Sequence, residues 1–188
     1  MKVTNSFFKI PVINNSAPQN VIPQSLTTRA NMPALVSTDP VTKKEAVVPM
    51  AFKDGSRMST FRADSYTKDN PVYIVKYWDA ENNYREEEIN GSKVNPSNAS
   101  VLELLAFGSY CADRGYPEDA VTNVMMAMVG VEEKPTFYSL DEALEKHNFT
   151  DRMKDCVDIT SNPAYRIVHL KYKAMYDFMM EAAAKNQP

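Results

Sequence analysis

Apolar and polar positions follow two rhythms along this chain. Between residues 46 and 89 they alternate, as the two faces of a strand require, and from about residue 97 they recur at three- and four-residue steps, as one face of a helix requires. Residues 72–78, VYIVKYW, are dense in β-branched and aromatic types that pack well on a pleated surface, and Pro71 stands where a strand gives up no ladder bond. Alternation sends Val72, Ile74, Lys76 and Trp78 to one face and Tyr73, Val75 and Tyr77 to the other. With aromatics on both, both faces are expected to be at least partly covered. Residues 79–83, DAENN, are turn formers, and residues 84–89 return as a half-wet strand with Glu86 and Glu88 on one face and Arg85, Glu87 and Ile89 on the other.

Upstream, residues 46–53 and 57–62 flank Asp54-Gly55, a dipeptide that accepts the positive φ of a tight hairpin turn. Pro49 cannot donate to a ladder and marks its strand as an edge or a bulge site. Joined through residues 66–71, the two hairpins predict a four-stranded antiparallel meander, since strands consecutive in sequence are usually neighbours.

The helical rhythm opens at Asn95-Pro96-Ser97-Asn98, whose side-chain oxygens can accept from orphan amides; Ser97 is the expected cap and Ser100 the alternative. The following residues, from Val101 to Ala112, are apolar at nearly every angle, so this helix is expected to be central, with Gly115 ending it. Pro117 suits the first turn of a helix over residues 118–129, whose buried stripe is Val121, Val124, Met125 and Met128. Ser139 and Glu142 match a capping box opening a short helix to about His147, and residues 150–157 predict another. Ser161-Asn162-Pro163 opens the last and longest helix. Its expected buried stripe is Tyr165, Val168, Tyr172, Met175, Met179 and Ala182, widened by Ile167, Leu170, Ala174 and Phe178, with His169, Lys173, Asp177 and Glu181 opposite. The expected fold class is α+β: a four-stranded antiparallel meander packed against a C-terminal helical layer, with an extended N-terminal arm.

That arm is residues 1–44, which hold five of the twelve prolines, no glycine and many Asn, Gln, Ser and Thr, a composition that buries too little to fold by itself. Residues 45–188 are then one domain, sheet over 45–90 and helices over 97–185, long enough for a self-sufficient core. The formal net charge of −3 hides an asymmetry. The arm carries five basic residues, Lys2, Lys9, Arg29, Lys43 and Lys44, against Asp39, which leaves 16 basic and 23 acidic residues, a net of −7, in the body. An acidic body argues against nucleic acid as a partner. No apolar run approaches the ~20 residues of a membrane span, so cytoplasmic is the default expectation and export without a signal peptide the alternative.

Candidate chemistry is sparse. Any Cys-His pair must draw on Cys111 or Cys156 with His147 or His169, and both cysteines fall among apolar neighbours where packed thiols are common. His147, Asp151, Asp155 and Cys156 have helical proximity without a recognised metal-ligand spacing, and read as a charged helix surface. Glu86-Glu87-Glu88 are split across two faces and read as a charge-protected edge strand. The five glycines form no phosphate loop, and no cofactor is implied. Seven of the eleven methionines, Met125, Met126, Met128, Met153, Met175, Met179 and Met180, lie in the helical half. Met126 and Met180 fall off the buried stripes, where flexible thioethers suit a protein partner. The candidate binding residues are Tyr73, Trp78, Tyr110, Met126 and Met180; no catalytic or metal residues are assigned.

Residues 66–76, YTKDNPVYIVK, followed by Asn95 to Ser100, NPSNAS, and the apolar Leu102 to Leu105, resemble a family of short uncharacterised proteins from Gram-positive anaerobic bacteria. In that family a YTxDNPVYxVK strand precedes a turn, an NPxNAS cap and a helix. The likeness covers about residues 45 to 115 and departs at Tyr77-Trp78, where the family has glycine-threonine. It implies the strand–cap–helix order and supplies no activity, ligand or site residue. The function expected is that of a non-enzymatic interaction or assembly protein, its arm packing on its own body or a neighbouring subunit, with a protein partner or itself. The alternatives are a small ligand-binding module or enzyme with its site between sheet and helices, around Tyr73, Trp78, Tyr110 and Cys111, and an exported surface or appendage component.

Overall fold

A computed structural model describes residues 35–40, 42–129, 137 and 139–187. Of the expected arm, residues 1–34 and 41 lie outside the described residues. The alternating stretch forms one antiparallel sheet of four strands in sequence order, β1 (Val48–Ala51), β2 (Arg57–Arg62), β3 (Val72–Trp78) and β4 (Tyr84–Asn90). Pro49 sits on the edge strand β1 opposite Ser59, as its missing donor demands. Gly55 takes the turn with φ +97° while the Phe52 amide donates to the Ser56 carbonyl at 2.9 Å. The register sets Met58, Tyr77 and Arg85 in one row and Thr60, Val75 and Glu87 in another, so a single face gathers Met58, Tyr73, Val75 and Tyr77, all buried.

Helix α1 (Val101–Arg114) lies against that face, with nine of its fourteen residues buried, as an all-round apolar helix must be. Its cap is Ser100 rather than Ser97. Ser100 has a glutamate three residues on, so its Oγ accepts from the Glu103 amide while the Glu103 carboxylate accepts from the Ser100 amide at 2.7 Å. Ser97 lacks that partner and instead donates to Asn95 Oδ1 in the preceding turn. Helix α2 (Ala120–Val129) starts two residues later than its sequence suggests, because Asp119 adopts φ +56°, outside the helical region. Helices α3 (Leu140–Leu144), α4 (Phe149–Ile159) and α5 (Arg166–Lys185) complete the layer. Asp54 Oδ2 accepts from the Leu140 amide, tying the first hairpin to α3. The Phe107 and Phe178 rings stack at 5.7 Å between α1 and α5, and Asn186 donates to the Ser92 and Val94 carbonyls, anchoring the C-terminal end of α5 beside the sheet.

The outer face of the sheet meets the chain's earlier residues. Ser59 Oγ donates to the Val36 carbonyl at 2.7 Å, and the buried carboxylate of Asp39 pairs with the Lys76 ammonium at 2.6 Å. Residues 36–39 therefore lie on the sheet.

One buried polar atom is left over on the core side. Thr60 sits between Val48 and Val75, fully buried, and its hydroxyl finds no hydrogen-bond partner among the described residues. Thr60→Val keeps the shape and removes the stranded hydroxyl, so it should raise the unfolding free energy by about 1 kcal/mol in urea titration. A loss of stability would show that the hydroxyl is satisfied in solution.

Candidate interaction surface

Two arrangements are built carefully enough to be weighed as sites. The first is a polar cluster where β2 and β3 meet the end of α1. Asp113 accepts from Arg62 through both carboxylate oxygens, Nε at 2.8 Å and Nη2 at closer range, and from the Tyr73 hydroxyl at 2.8 Å. Tyr66 closes the group, its ring edge-on to Tyr73 at 5.5 Å and under the Arg62 guanidinium at 5.8 Å. Burial works to raise the Asp113 carboxyl, but the hydrogen bonds from Arg62 and Tyr73 outweigh it and hold it below the ordinary aspartate value. Burial, helped by Asp113, pushes the Tyr73 hydroxyl far above its ordinary value, so it stays a donor. All the charges here are matched and the cluster fastens strand to helix.

Its pH signature follows from the sign of the shift. A carboxyl with a depressed folded pKa contributes stability that is present above its unfolded value of about 3.9 and is lost as pH falls through the folded value. Asp113→Asn should therefore be less stable than the native protein at pH 7, and the gap should close below about pH 4. A gap that stays constant from pH 7 to pH 2 would show that charge at Asp113 is not what binds Arg62 and Tyr73.

The second arrangement is apolar. Met175, Met179 and Ala183 of α5 are buried in a row at four-residue steps, whereas Val168, one heptad before Met175 and so on nearly the same side, is 41% exposed. The N-terminal half of α5 overhangs the core. Ile167 is 74% exposed, Leu170 57% and Tyr165 41%, and the neighbouring end of α4 adds Ile159 at 61%. The stripe expected to be buried along the whole helix is thus exposed at Tyr165, Ile167, Val168 and Leu170, packs on the core at Tyr172 and is fully buried at Met175 and Met179. The support lies at the other end: Phe178 stacks on Phe107 of α1 and Asn186 is tied to the link after β4, while the first turns of α5 meet the end of α4 and the start of α2.

The overhanging turn is held in place. Lys171 reaches Asp119 at 2.5 Å and Glu118 at 3.4 Å at the start of α2, and the His169 ring meets the Val157 carbonyl at 3.1 Å at the end of α4. His169, expected on a solvated face, is a clasp between two helices. The corner therefore presents its apolar side chains from a fixed backbone.

The five candidate binding residues do not converge. Tyr73 and Tyr110 flank Gly91, whose ideal Cβ position is 3.1 Å from the Tyr73 ring and 2.7 Å from Tyr110 Cβ. Trp78 sits at the far end of β3 on the opposite face, tilted against Tyr84 at 5.4 Å and under the Arg57 guanidinium at 5.1 Å. Met126 is half-buried against the core, and Met180 is 44% exposed on α5. Cys111 is fully buried and burial pushes its thiol well above the ordinary value, which disfavours the thiolate. Among the described residues, no three of His, Cys, Asp and Glu come together as metal ligands, His147, Asp151, Asp155 and Cys156 included. A cleft of about 600 Å³ opens between β4 and the start of α1, and several of its polar groups are engaged within the fold. Glu103 closes the capping box and pairs with Lys146, and Asn90 and Asn95 accept from the turns that follow them.

No helix among the described residues is long and apolar enough to cross a membrane. Comparison with protein-family models, with curated proteins and with solved structures returns no match.

Proposed function

We propose that this chain is a non-enzymatic interaction or assembly protein that meets a protein partner through the corner where α4 ends and α5 begins. The observation that supports this reading is the burial contrast along one helix side: Met175 is fully buried and Val168, a heptad earlier, is not, amid four further exposed apolar side chains within twelve residues. Scattered exposed apolar residues are ordinary, whereas a rigidly held cluster of them marks a contact surface. The buried thiol of Cys111 weighs in the same direction.

The reading requires the corner to be free of the fold's own energetics. Ile167→Glu and Leu170→Glu should each shift the unfolding free energy of dilute protein by less than about 0.5 kcal/mol, while Met175→Ala should lose about 2–5 kcal/mol. If the glutamate variants lose stability on the scale of Met175→Ala, the corner belongs to the core and the reading falls.

A further inference from the structure

We infer that the partner at the α4–α5 corner is a second copy of this chain, joined face to face across a twofold axis. This rests on the association reading above and goes beyond it in naming the occupant. The first reason is area. Five side chains exposed by 41 to 74% present on the order of 500 Å² of apolar surface. Set against its own image, the corner removes at most about 1,000 Å², the size of a weak specific interface.

The second reason is charge. A twofold contact sets a face against an identical face, so a face with a net charge repels its image. The rim of this corner consists of Lys154 paired with Asp158, Lys171 with Glu118 and Asp119, Lys173 with Asp177, and Arg166. That is four basic and four acidic side chains, a neutral ring in a body of net negative charge. Strand β4, with Glu86, Glu87 and Glu88 in succession, is the opposite case and would repel itself. The charges of the corner let two copies approach where those of β4 would hold them apart.

The test is sedimentation equilibrium of the full chain from about 10 to about 500 µM, a range suited to a modest interface. The mass should climb from the chain value of 21.2 kDa to a plateau at twice that. Ile167→Glu and Leu170→Glu should weaken the association by at least about tenfold. As a second readout, Leu170→Cys should give a disulfide-linked dimer on oxidation and Thr122→Cys, exposed on α2, should not; Cys111 and Cys156 are buried and do not compete. A single-chain mass throughout, a mass that passes two copies without a plateau, or glutamate variants that associate as the native chain does would each overturn the twofold pairing. A single-chain mass together with stability-neutral glutamates removes only the second copy and leaves the association reading standing, whereas glutamates that unfold the chain remove both.

Discussion

Gly91→Ala is expected to destabilise the protein by about 3 kcal/mol or more in urea denaturation. Gly91 is buried in the link between β4 and α1, and its amide donates to the Pro71 carbonyl at 3.0 Å. A Cβ built there lies 2.6 Å from the Ala106 carbonyl oxygen and 2.7 Å from Tyr110 Cβ. Neither atom is the tip of a side chain that could swing aside, so the sheet and α1 would have to move apart, and with them the Tyr73–Asp113 hydrogen bond. Gly55→Ala is the internal comparison. Its Cβ meets nothing within 4 Å, and only the positive φ opposes it, at about 1 kcal/mol. Equal effects at the two positions would show that steric closeness at Gly91 is not what requires glycine.

Arg152→Ala should lose about 3–4 kcal/mol, measured the same way. Residues around Arg152 read in sequence as a charged helix surface, but this side chain is buried on α4, and its Nη1 donates to the Met128 carbonyl at 2.8 Å and the Ala127 carbonyl at 3.4 Å. It thereby satisfies carbonyls that the end of α2 leaves open, while its guanidinium covers the Phe137 ring at 4.8 Å. Burial lowers the Arg152 pKa without threatening its charge. Arg152→Lys should recover little, because a compact ammonium cannot span two carbonyls and a ring and is dearer to desolvate. Full stability in the lysine variant would show that a positive charge alone suffices there.

The contrast between Gly91, Arg152 and the α4–α5 corner shows where local reading reaches its limit. Strand identity and order were legible because alternation, Asp54-Gly55 and Pro49 each act within a few residues. The Ser139 cap and the end of α1 at Gly115 were legible for the same reason. Ser100 displaced Ser97 only because Glu103 lies three residues on, which is also a local signal. Burial at Arg152 depended on where α2 happens to end, 24 residues away, and the crowding at Gly91 on a helix that approaches from later in the chain.

From its sequence alone, this protein was bound to have a sheet of four consecutive strands, a central apolar helix and a long final helix with a continuous apolar stripe, since period and turn chemistry are properties of neighbouring residues. Only the tertiary structure decided that the stripe faces outward as far as Leu170 and packs on the core from Tyr172 onward. Periodicity tells which side of a helix avoids water, but whether anything lies beneath that side depends on the lengths and positions of the other helices.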